Sequence, residues 1–209
     1  MKKFILIEDR VQRQKNFLGL GFNFDNYYNF KNIVGGNEFI EIKNKISQNI
    51  FESIIGFEII AIHRSALNSN ERDNLINFCK QNGKDLVFFS GGISNVLFQR
   101  INNNSFLTIN SKDFYSNNLN DFLNDHERNL NILAFGNNWQ INLMIRLAER
   151  LINYIIDDNF EKMEFQELID LTEWDKQTFF KDYTENKILD KLVIKNKIHE
   201  INKKIKECL

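Results

Sequence analysis

The chain has 209 residues, of which 43% are hydrophobic and 26% charged, with a formal net charge of −1. That balance excludes a protein that coats nucleic acid or a membrane surface by bulk electrostatics. No apolar run approaches the roughly 20 residues of a membrane-spanning helix, and the length suits one good-sized domain with an extension, or two small ones. In the opening stretch MKKFILIEDR, Glu8 and Asp9 end the apolar run too early for a signal peptide. Cys79 and Cys208 stand alone, without ligand or redox spacing, which points to reduced thiols and a cytoplasmic protein. His63, His126 and His199 are too scattered to form a metal motif, and proline is absent, so Gly and Asn must carry the turns.

Taken in order, Lys3–Ile7 reads as a buried strand ending in Glu8-Asp9, and Arg10 to Leu18 as a helix with Val11, Phe17 and Leu18 inward. Phe30–Val34 reads as a second strand. Asn37 is expected to cap a helix over Glu38–Ile54, where Phe39, Ile42, Ile46 and Ile50 recur at helical spacing. The central strand is Glu58–Ile62, a near-continuous apolar run of the kind buried on both sheet faces, and the chain turns polar at His63-Arg64-Ser65. Ser69 or Asn70 is expected to cap a helix over Glu71–Gln81, with Gly83 at its end. Asp85–Phe89 is the next strand, followed by Ser90-Gly91-Gly92, and Ile93–Arg100 reads as a short helix. Ser105–Ile109 is a fifth strand and Asp113–Leu123 a helix.

Strands alternating with helices imply an α/β fold, a doubly wound five-stranded parallel sheet over residues 1–125. Residues 126–209 read as a helical extension packed on or beside it. Leu130–Phe135 fits either a strand or a helix, Trp139–Ile156 is a long amphipathic helix, and Phe165–Tyr183 suggests two short helices. Ile188–Leu209 is a last amphipathic helix that docks on the core or pairs a homodimer. The Phe165–Tyr183 pattern could pass for a helix-turn-helix, but Asp157 to Asp190 carries eleven acids against four lysines, a net of −7. Phosphate recognition needs the opposite sign, so that region suits a basic protein partner better than DNA.

In FILIED, LVFFSGG and SFLTINSKDF, taken with the central strand, the first 125 residues or so resemble a receiver domain of two-component response regulators, a flavodoxin-like module. The resemblance implies the strand order 2-1-3-4-5. It places Glu8 and Asp9 at the metal-binding positions, Ser90 at the hydroxyl position and Lys112 near the position of the family's lysine. Receivers carry an aspartate at the end of strand three, because a carboxylate must attack the phosphoryl group; here that residue is His63. Lys112 lies two or three residues late, and the proline that follows the family's lysine is missing. The resemblance therefore implies a pseudo-receiver that cannot form an acyl phosphate and holds Mg²⁺ weakly, with no other cofactor.

At the strand ends, Glu8, Asp9, His63, Arg64, Ser90, Gly91, Gly92 and Lys112 form the expected ligand or switch cluster. A His–carboxylate cluster is favoured over a metal held by Glu8 and Asp9, and nearby carboxylates are expected to raise the His63 pKa. Gly91-Gly92 before a helix could expose backbone N–H groups to an anion, although a plain tight turn accounts for them better. His63 with Ser65 or Ser90 invites a hydrolase reading, but no nucleophile-elbow pattern accompanies them. The sequence favours a non-enzymatic regulator that binds a kinase-like or effector protein. The alternative is an enzyme or phosphate- or nucleotide-binding protein using His63, Ser90 and Lys112.

Overall fold

A computed structural model describes residues 1–18, 22–94, 96–101, 104–157 and 191–208. The chain divides into two compact units, Met1–Asn137 and Asn138–Leu209. The first holds strands β1 (Phe4–Glu8), β2 (Phe30–Val34), β3 (Ile59–His63), β4 (Asp85–Ser90), β5 (Leu97–Ile101) and β6 (Asn104–Asn110). Its helices are α1 (Val11–Leu18), α2 (Gly36–Ser47), α3 (Ser69–Gln81), α4 (Ser111–Phe114), α5 (Asn117–Asn124) and α6 (Leu130–Phe135). The second unit holds α7 (Trp139–Asp157) and α8 (Lys191–Cys208), which pack against each other. The paired short helices expected at Phe165–Tyr183 lie outside the described residues, as does most of the acidic stretch.

The fold is α/β, with one mostly parallel sheet of the flavodoxin-like kind. The sheet has six strands in the order β2-β1-β3-β4-β6-β5, which corrects the expectation of five strands in the order 2-1-3-4-5. The added strand is β5, antiparallel to β6 at the sheet edge. It occupies residues expected to form a helix: Ile93 and Leu97 have helical spacing, but Phe98 is buried while its neighbour Leu97 is 46% exposed. That alternation belongs to a strand.

β1 and β3 are the most deeply buried strands, every residue of each being buried. They pair in parallel, Phe4 beside Ile59 through Ile7 beside Ile62. Each Ile or Leu side chain buried there contributes about 1.5–3 kcal/mol. On one sheet face Ile5, Ile7, Ile60, Ile62, Leu86 and Phe88 join Ile42 and Ile46 of α2 and Leu75, Phe78 and Cys79 of α3 in a single core cluster. Burial pushes the Cys79 thiol up to about 12, so it packs as a small inert hydrophobe.

Helix ends differ from the sequence expectations in instructive ways. α2 has Gly35 as its N-cap, with no side chain to cap it, in place of the expected Asn37, and it stops at Ser47. Asn49 takes φ +58 there. The amide of Ile50 donates to Lys45 O at 2.8 Å and that of Asn49 to Ile46 O at 3.0 Å, the paired bonds of a Schellman end with asparagine in the usual glycine place. Ile50 is left exposed. α3 is capped one residue before the expected pair, by Asn68, in a reciprocal capping box with Glu71. Among the described side chains of α1, Gln14 is buried, whereas Val11, expected inward, is exposed. Among the described residues no helix is long and apolar enough to cross a membrane.

Candidate functional site

The carboxyl ends of β1 and β3 lie side by side, so Glu8, Asp9 and His63 converge, as the strand-end reading expects. Glu8 is fully buried and His63 is 3% exposed. Ligand atoms of Glu8, Asp9 and His63 lie within 4.8 Å of one another. The loop to α2 closes behind them: Gly35 N donates to Glu8 O at 2.8 Å. Gly35 itself has φ +58 and ψ −165, a backbone conformation that favours glycine, while a Cβ there would meet Asp9 O at an ordinary contact distance.

Two residues central to the site are absent from the sequence reading. The first is Arg13, one turn into α1. Its Nη1 lies 2.8 Å from Glu8 Oε1 and 2.6 Å from Asp9 Oδ1, so one nitrogen bridges both carboxylates. The i,i+4 spacing of Asp9 and Arg13 is the signal that could have found it. The second is Tyr115, 107 residues away from Glu8, whose hydroxyl donates to Glu8 Oε2 at 3.1 Å inside the core. The aromatic floor of the site comes with it: Phe89 stacks on Phe114 at 4.2 Å and meets both His63 and Tyr115 edge to face.

The electrostatics follow from this packing. Burial raises Glu8 to about 7, assisted by a hydrogen bond with Asp9, while Arg13 pulls the other way. Burial also opposes ionisation of Asp9, but the hydrogen bond with Glu8 and the positive charge of Arg13, joined by His63 only when that ring is protonated, overcome it, so Asp9 is held below its ordinary value. His63 moves opposite to expectation. Burial lowers it to about 4, and the Arg13 cation adds to that effect, while Asp9 opposes it. The expected rise set the carboxylates above the cost of partial burial; His63 is almost fully buried, and Arg13 adds a cation beside it. The neutral imidazole is held locally: Nδ1 accepts from Ser65 N at 3.3 Å and stands 2.8 Å from Ser65 Oγ. It is 3.6 Å from Asp9 Oδ1, outside hydrogen-bond range.

The other expected site residues are arranged differently. Arg64 is exposed in the short turn after β3, Lys112 is exposed on α4, and Ser90 is half-buried at the end of β4. Among the described residues none of the three shares an ion pair or side-chain hydrogen bond with Glu8, Asp9 or His63. Gly91 and Gly92 are exposed in a turn that leads to strand β5 instead of a helix. The Asn110 amide donates to Gly91 O at 3.3 Å and Ile93 O at 2.7 Å. That turn shows carbonyls to a side-chain donor and lacks the helix N-terminus an anion cradle uses.

The donor set suits Mg²⁺ poorly. That ion takes near-octahedral oxygen ligation, whereas this corner offers two carboxylates and an imidazole whose Nδ1 lone pair faces Ser65. Arg13 already lies where a cation between Glu8 and Asp9 would be held. No family model, curated protein or solved structure matches the chain.

Proposed function

We propose that this chain is a receiver-like regulatory protein that accepts no phosphoryl group and acts by binding a protein partner, such as a kinase-like or effector protein, in a signalling or defence-type switch. The observation that carries this reading is the Arg13 guanidinium between Glu8 and Asp9, with His63 at the end of the neighbouring strand. A phosphorylatable site needs a divalent cation at the acid pair and a carboxylate nucleophile on β3. Here a built-in side-chain cation answers the acids, and an imidazole that is neutral near pH 7 ends the strand. Such a corner answers its acids internally, without metal or phosphate, as suits a module whose output is a binding surface independent of phosphorylation.

The test treats the full chain with acetyl phosphate and Mg²⁺ and reads its intact mass. An unchanged mass is expected, and binding to co-purified protein partners should be indifferent to acetyl phosphate and to chelator. A stable phosphoryl adduct, or turnover of a phosphate ester or nucleotide by the purified chain, would overturn the reading.

A further inference from the structure

In a doubly wound sheet, the crossover between adjacent parallel strands carries a helix that covers one sheet face. Between β4 and β6 the chain instead makes a short turn, runs along the edge as β5 and returns. On the face where α3 packs over β4 and buries Leu86 and Phe88, the adjoining β6 and β5 therefore lack a crossover helix of their own. Strand register sets two rows of side chains across it: Leu86, Phe106 and Gln99, then Phe88, Thr108 and Leu97. Ile76 and Lys80 of α3 form one bank, and together these residues line a cavity of about 210 Å³.

Charge within this cavity is one-sided. Lys80 is its one charged lining residue. Its ammonium stands 5.9 Å from the centre of the Phe106 ring, and among the described residues no acid pairs with it. A cation held over an aromatic face at the rim of an apolar trough can receive an anion while the trough takes a hydrocarbon chain. A cavity of roughly 150 Å³ holds a benzene, so this one has room for a ligand somewhat larger, about eight to ten heavy atoms.

We infer that the trough over β4, β6 and β5 is a binding site for a medium-chain aliphatic carboxylate, with its chain along Leu86, Phe88, Phe106 and Leu97 and its carboxylate at Lys80. The site lies within the first compact unit and uses none of the Glu8–Asp9–Arg13–His63 cluster, so it stands independently of the regulatory reading.

Octanoate and octanol, titrated below micelle formation into the full chain with labelled methyl groups, test it. Octanoate should move the methyl signals of Ile76, Leu86, Leu97 and Thr108 and leave those of β1 and α2 in place. Octanol, with the same chain and no charge, should bind about tenfold more weakly, the loss expected for one charge-assisted contact. Lys80→Met should remove the difference between the two ligands and keep octanol binding. Thr108→Phe, which fills the trough, should abolish both. Equal affinity for octanoate and octanol, or shifts unaffected by Lys80→Met, would overturn the inference. So would an absence of localised shifts at millimolar octanoate. Concentration-dependent broadening of the same methyls without ligand would overturn it too, because a second copy would then cover the face.

Discussion

The two ends of the parallel strands hold buried cations in opposite ways. At the amino end, Arg128 is fully buried and donates to the carbonyls of Lys2, Tyr28 and Asn29. Nearby, Lys84 donates to the carbonyls of Ile55 and Phe57. At the carboxyl end, Arg13 lies between two carboxylates beside an imidazole. Burial lowers the pKa of both Lys84 and Arg128. Their partners are peptide dipoles, which do not titrate. The cations of the amino end therefore act as pins that join the approaches to β1, β2 and β3 through partners that do not change charge. At the carboxyl end every partner but Arg13 can change charge. The same sheet thus has one end built for permanence and another whose charge depends on its neighbours.

The largest expected effect tests the permanent end. Arg128→Ala removes three charge-assisted hydrogen bonds and takes the donor from the Lys2 and Tyr28 carbonyls, while Asn29 O keeps Phe4 N at 2.8 Å. It should cost about 4 kcal/mol in urea unfolding, by a similar amount at pH 5 and pH 8. A cost that varied strongly with pH would erase the contrast between the ends.

Next come two variants of the titratable end. In Glu8→Gln the pH response of His63 is exposed. Its folded value of about 4 lies below the ordinary 6.5. The stability associated with the neutral imidazole is then fully present above 6.5 and is lost as pH falls towards 4, by about 1.4 kcal/mol per pH unit. In His63→Gln the response of Glu8 is exposed, with the sign reversed. Its folded value of about 7 lies above the ordinary 4.5. Stability is then fully present below 4.5 and is lost as pH rises towards 7, with a similar slope. Urea midpoints across pH 4–8 check both. Two variants sloping the same way would show that the cluster is wrongly described.

The smallest effect sharpens the comparison with a metal-holding corner. His63→Asp supplies a third carboxylate, and Mg²⁺ at about ten times its dissociation constant should stabilise that variant by about 1.4 kcal/mol. The natural protein should gain almost nothing in the same thermal melts. Equal gains would mean that Arg13 does not stand in for the ion.

The parallel strands were legible because burial on both faces writes itself as short apolar runs such as FILI and IIAI. β5 was not, because a half-exposed edge strand of five residues has too little pattern to distinguish it from a helical turn. The α2 terminus was hidden by the lack of proline: Asn49 ends the helix through a left-handed backbone conformation that, among the other described asparagines, Asn29 alone shares. Of the candidate site, Glu8, Asp9 and His63 were legible because β1 and β3 are neighbours in a parallel sheet. Arg13 was visible in principle by its spacing, whereas Tyr115 enters through tertiary packing that no local pattern records. The error in the His63 pKa comes first from giving the carboxylates more weight than burial, and second from missing Arg13.

The pairing of Glu8 and His63 has a consequence for the folding reaction as a whole. Between about pH 4.5 and 6.5 the unfolded chain carries a charged imidazole and an ionised carboxylate at these positions, given their ordinary values of 6.5 and 4.5. The folded chain carries a neutral imidazole and a protonated carboxyl group. The proton count is the same, but its address changes, so folding here amounts to an internal neutralisation of a zwitterion. These two residues together take up or release no net proton across that window, and their opposing slopes cancel. The intact protein hides behind a flat pH profile two buried groups that would each betray themselves alone.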